Sequence, residues 1–201
     1  MTEAGWLDCH DPMQMLIHLK AVPNSRKVLL LTLACIKRVE RLLPETVKQW
    51  ARVLEGVAEG AVDSARLDDD WEDVEMFFAL EDDRGQCYAV INIAANCWQE
   101  WDRYEAGNAA WKTERRKHAS YIREVFGNPF RPATVNPAWL TSTVVSLAQA
   151  IYAERAFDRL PILADALEDA GCDNVDILNH CRQPGVHVRG CWCVDSLLGK
   201  E

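Results

Sequence analysis

The chain lacks the marks of a β protein. Alternating β-branched residues between Asn-Gly or Gly-Asn turns are missing almost throughout, which argues against a sandwich or barrel and leaves helices as the building material. It also lacks a long apolar run. The most apolar stretch, VLLLTLAC at 28–35, is followed by Lys37, Arg38, Glu40 and Arg41, well short of the ~20 apolar residues a membrane helix needs. An excess of positive charge is missing too. With 31 acidic against 22 basic side chains the net charge is −9, which repels phosphate backbones and anionic membrane surfaces, so neither nucleic acid nor membrane is an expected partner. No charged and then apolar leader opens the sequence, and the eight cysteines are therefore expected as reduced thiols in a cytoplasmic protein. Finally, there is no EF-hand spacing, no glycine-rich oxyanion loop and no close Cys-x-x-Cys pair of the kind that fixes a zinc knuckle.

What is present points to one all-α globular domain over 1–201, a bundle of about eight to nine helices. Hydrophobic residues make up 49% of the chain, enough for a core without disulfide staples. Asp11-Pro12 reads as a helix start, with Asp11 capping free amides and Pro12 where its missing N–H costs nothing. A core helix is expected over 26–43, dense in Val28, Leu29, Leu31, Leu33, Ile36 and Val39 and broken by Pro44. The next carries Val47, Trp50, Val53, Leu54 and Val57 at spacings of three and four, which makes Trp50 a packing residue. Acidic residues at 68–75 read as a solvated helix start. The run from Cys87 through Trp98 and Trp101 reads as a buried helix.

The segment 112–126 is the one basic stretch. Lys112, Arg115, Arg116, Lys117 and Arg123 share a helix with inward-facing Tyr121, Ile122, Val125 and Phe126, and Glu114 and Glu124 interrupt the positive charge. A solvated face is the simpler reading than a nucleic-acid contact. Prolines at 129, 132 and 137 then make 127–139 an irregular connection, a candidate internal boundary that Phe130 and Trp139 would instead pin as an ordered loop. Two amphipathic helices follow, opened near Thr141 and Asp158, the second stopped by Gly171.

The stretch 171–198, GCDNVDILNHCRQPGVHVRGCWCVDSLL, gathers four of the cysteines and two of the five histidines. A short helix over 174–181, a turn at Gln183-Pro184-Gly185 and a last helix over 188–198 are expected. On that last helix Cys191 and Cys193 lie about 200° apart, which weakens a Cys-x-Cys metal site. Thiolate and imidazole suit zinc, and Cys172, Cys181, His187 and Cys191, with His180 as an alternative to Cys181, form the candidate ligand set. Their spacing matches no standard zinc motif. A nucleophilic reading would use Cys191 or Cys181 as thiolate, His187 or His180 as base and Asp195 or Asp176 as orienter, but no surrounding catalytic framework supports it. Packed, reduced cysteines are the simplest alternative to both.

The tail HCRQPGVHVRGCWCVDSLLGKE, with FGNPFRPATVNPAWL and AIYAERAFDRLPILADALEDAGC, resembles a family of uncharacterised bacterial proteins. The resemblance covers 126–201 and touches the opening TEAGWLDCHDPMQMLIHLK. It implies a small intracellular protein occurring as a module beside other domains, and an aliphatic residue at the position of Cys193. It implies no activity. The sequence therefore reads as a helical interaction or adaptor protein with a protein partner or a second copy of itself, without a cofactor, and it leans away from an enzyme without excluding one. The alternative is a zinc-binding or thiol-dependent protein centred on 171–198.

Overall fold

The computed structural model describes residues 1–21, 25–43, 45–69 and 109–200. The expected acidic helix start, apart from its first residues, and the buried helix through Cys87, Trp98 and Trp101 lie outside them. The described residues are helical, with no strand among them, and the fold class is all-α. No helix among them is long and apolar enough to cross a membrane. The chain divides into two compact units, Met1–Ile122 and Arg123–Glu201, a few residues ahead of the proline-rich stretch 127–139.

In the first unit, helices α1 (Glu3–Asp8), α2 (Pro12–Leu19), α3 (Arg26–Val39), α4 (Glu45–Ala58) and α5 (Arg66–Asp69) precede α6 (Ala109–Phe126), inside which the division falls. Asp11 caps α2 as its position before Pro12 dictates: its Oδ1 accepts the Met13 amide at 3.0 Å. The helix expected over 26–43 ends at Val39 and closes through a 3-10 turn, Glu40–Leu42, because the last turn before a proline readily tightens. Every residue over 28–36 is buried, so α3 is covered all round, and α4 packs on it. Trp50 is 4% exposed, and its indole N–H donates to the Leu67 carbonyl at 3.1 Å, joining α4 to α5 while burying the ring. Arg115, from the basic stretch, pairs with Asp11 at 2.6 Å, so part of that positive charge is spent within the unit.

The second unit is built on α7 (Ser142–Glu154), α8 (Leu160–Asp169), α9 (Val175–Arg182) and α10 (Trp192–Leu198). Thr141 caps α7 by accepting the Val144 amide, and Asn174 caps α9 by accepting those of Asp176 and Ile177. Val144, Ala148, Ile151, Leu160, Leu163, Leu167, Ile177 and Leu197 form one core. A side chain of that size is worth about 2 kcal/mol when fully buried, and this core brings the ends of α9 and α10 together. In the stretch 127–139, Trp139 is buried in the core while Phe130 stays 37% exposed.

The last helix is shorter than its pattern suggested. It starts at Trp192, with Cys191 as its N-cap residue, because Gly190 takes a positive φ of 94° that interrupts any helix coming from Val188. Residues 183–190 therefore form a loop between α9 and α10. The far end of that loop is held to α7: the Arg189 guanidinium lies 4.8 Å from the centre of the Tyr152 ring and donates to the Tyr152 carbonyl at 3.2 Å.

Candidate metal centre

Four side chains of the second unit converge, one each from the end of α6, the end of α9, the 183–190 loop and the start of α10. They are Glu124, His180, His187 and Cys191, whose ligand atoms all lie within 4.8 Å of one another. Nε2 of His180 is 3.1 Å from Sγ of Cys191 and 3.6 Å from Oε2 of Glu124. Nδ1 of His187 is 3.0 Å from Oε1 of Glu124. An ionised carboxylate only accepts, so toward such a partner Nδ1–H is the donor.

Each residue is delivered by local structure. Glu124 projects from the last turn of α6, which stops at Gly127 with φ +71°, a conformation natural to glycine. His180 belongs to the last turn of α9. Cys191 stands at the cap of α10, where the chain leaves the loop. The two imidazoles meet edge to face at 5.1 Å, Trp192 lies 4.7 Å from His180, and Phe157 stacks on His187 at 6.5 Å. Two aromatic rings thus flank a polar cluster.

Burial makes the cluster electrostatically tense. The Glu124 side chain is 7% exposed, that of His180 16% and that of His187 11%, while Cys191 is wholly buried. Loss of solvent pulls the His180 pKa down against the pull of the Glu124 charge. The same loss acts on His187, but there the Glu124 hydrogen bond and charge, with a bond to the Gln183 backbone, outweigh it and raise the pKa. Burial pushes the Cys191 thiol well above its ordinary range, and the Glu124 charge pushes it further.

The structure brings together two of the four candidate ligands, His187 and Cys191, and places the other two elsewhere. Cys172 follows Gly171 into the hydrophobic core, where burial raises its pKa. Cys181 comes one residue after His180 and so points about 100° away around α9; its Sγ lies 3.5 Å from that of Cys193. The Cys193 hydrogen bond lowers the Cys181 pKa, and the same bond followed by burial puts Cys193 well above the ordinary thiol range. Cys191 and Cys193 thus serve separate clusters. His180 enters the four-residue group in the place considered for Cys181.

Glu124 was missed because it stands 63 residues before His187 and reads as a break in a basic helix. A usable signal existed. Glu124 is three residues past Tyr121, on the inward face of its helix, and a carboxylate there needs a partner.

Beside the cluster lies an open cavity of about 690 Å³, lined in part by Arg155, Phe157, Cys181, Pro184, Val186 and His187. Of the four grouped residues, His187 alone lines it. Compared with protein-family models, curated proteins and solved structures, the chain matches none of them. The functional reading therefore stands on this geometry.

Proposed function

We propose that the second unit is a metal-binding helical module, and that Glu124, His180, His187 and Cys191 hold one zinc-class divalent ion. The observation that carries the reading is the convergence of four ligand atoms of mixed O, N, N and S type within 4.8 Å. Metal bonds of about 2.1 Å imply ligand-to-ligand edges of roughly 3.4 Å in a tetrahedron. The separations of 3.0, 3.1 and 3.6 Å straddle that edge. Imidazole with thiolate selects zinc over magnesium or calcium, which take oxygen ligands.

Four protein ligands leave no open position, so the ion is structural rather than catalytic. It takes the place of the proton between His187 and Glu124 and that of the Cys191 thiol. In doing so it ties the end of α6, the end of α9, the 183–190 loop and the start of α10 to one point. Elemental analysis of protein purified without a histidine tag should find about one zinc per chain, and a chelator should lower the melting temperature. Far less than one zinc per chain, with no chelator shift, sinks the proposal.

A second reading, a module for binding protein partners or another copy of itself, is favoured by exposed apolar side chains in this unit. Ile162 is 56%, Val175 65% and Val186 48% exposed. Light scattering of the purified chain tests self-association, and the same measurement on Val186→Asp tests whether the loop takes part.

A further inference from the structure

We propose that Cys181 and Cys193 are a redox site of their own, forming a reversible disulfide when a low-molecular-weight disulfide such as oxidised glutathione enters the cavity beside His187. The inference goes beyond the metal reading and does not depend on it. Three observations carry it. The two sulfurs lie 3.5 Å apart, across 12 residues of chain, so a closure of about 1.5 Å reaches bonding distance. Cys181 lines the open cavity of about 690 Å³, together with Arg155, Arg182, Pro184, Gly185 and His187. The third observation is the company of the neighbouring thiol: Cys191 faces His180 at 3.1 Å, whereas the sulfur that meets Cys181 is that of Cys193.

The chemistry balances as two thiol exchanges. The Cys181 thiolate attacks one sulfur of the small disulfide, forming a mixed disulfide and releasing one thiolate. The Cys193 thiolate then attacks the Cys181 sulfur and expels the second. Both cysteines lose their protons, the protein gains one S–S bond, and the oxidant leaves as two thiols. Cys181, 1% exposed and part of the cavity wall, is the entry sulfur because Cys193 does not line the cavity; Cys193 resolves the intermediate.

The bond links the last turn of α9 to the first turn of α10, closing the 183–190 loop that carries His187. Metal and disulfide are thus two separate ways of fixing one loop, and a cross-link here restricts the unfolded chain.

The full-length protein, reduced and freed of metal with a chelator, is incubated in native buffer with oxidised glutathione and mapped by mass spectrometry after alkylation of remaining thiols. The expected result is a single Cys181–Cys193 cross-link, loss of two alkylatable thiols, a melting temperature several degrees higher, and full reversal by dithiothreitol. Cys193→Ser should stop at the Cys181–glutathione mixed disulfide, and Cys181→Ser should take up no glutathione at Cys193. A Cys181–Cys191 cross-link, glutathione retained on Cys181 in the unsubstituted protein, or no reaction at either thiol would each overturn the proposal. Because the reaction is read without metal, its failure leaves the zinc reading standing, and zinc analysis of Cys193→Ser keeps the two apart in the other direction.

Discussion

His180 and Cys181 are neighbours in sequence, yet they belong to different chemistry. His180 joins a group with an acid, a second imidazole and a thiol, whereas Cys181 meets one other sulfur. The helix causes the split, since a step of one residue turns the side chain by about 100°. Across the loop the same split recurs between Cys191 and Cys193. Two segments thus contribute one residue each to two clusters, and what differs is the company: the first includes a carboxylate to balance a cation, while the second is a pair of sulfurs. Four sulfurs crowded into a short stretch need not make one site. Orientation on the helix sorts them.

Ligand removal should separate the two clusters most sharply. His180→Ala and Cys191→Ser should each reduce zinc affinity on the order of 100-fold or more, because a tetrahedral site loses one of four bonds. Cys181→Ser should leave the zinc content near one per chain. Competition with a chromophoric chelator measures both, and equal losses in all three variants would mean that the clusters are one.

Glu124→Ala should come next in size. It removes the only carboxylate facing the two histidines in the four-residue group, and losing one partner of a buried, hydrogen-bonded pair costs about 3 kcal/mol of stability. Urea unfolding of metal-free protein gives that figure directly. The pH dependence of zinc binding should then separate the groups. Cys191 holds its proton through the neutral range because its pKa is raised, so each ion displaces one proton and affinity falls about tenfold per pH unit of acidification. The folded His187 pKa lies above the ordinary 6.5; below it a second proton must leave, and the fall steepens to about a hundredfold per unit. His180, with its pKa lowered by burial, is already neutral there and adds no third proton. Isothermal titration across pH with Glu124, Cys181 and the histidines intact reads the slope.

The helices were largely legible in the sequence because their signals are local. Asp11 before Pro12 and Thr141 before an apolar face each announce a helix start through chemistry that needs only neighbours, and the structure uses both caps. Helix ends were less legible. The periodicity of Val188, Trp192, Asp195 and Leu198 extends a helix backwards through Gly190, and only the backbone turn at that glycine stops it. The cluster was half legible. His187 and Cys191 stand in the crowded stretch itself, but choosing between His180 and Cys181 required knowing which way α9 faces. Glu124 required knowing which helix packs beneath it. Those are tertiary facts, and a spacing rule cannot supply them.

A smaller effect comes from Gly127, where the division between clusters depends on close packing. A Cβ there would lie 3.2 Å from the Trp192 ring, and φ is +71°. Gly127→Ala should cost about 1–2 kcal/mol from backbone strain. Because Trp192 touches His180 and follows Cys191, the variant should weaken zinc more than it changes the Cys181–Cys193 reaction.

The mildest test is Cys193→Val. The side chain is 1% exposed and sits in the hydrophobic core, so an aliphatic residue of similar bulk should shift stability by less than about 1.5 kcal/mol. It loses the sulfur contact to Cys181 and keeps every member of the metal group. Zinc content and its pH slope should be unchanged, while oxidised glutathione should halt at a mixed disulfide on Cys181. If zinc were lost along with the disulfide, Cys193 would be supporting the ion through its hold on α10, and the two clusters would share more than a loop. If zinc stays, the helical turn between Cys191 and Cys193 is enough to insulate metal binding from thiol exchange.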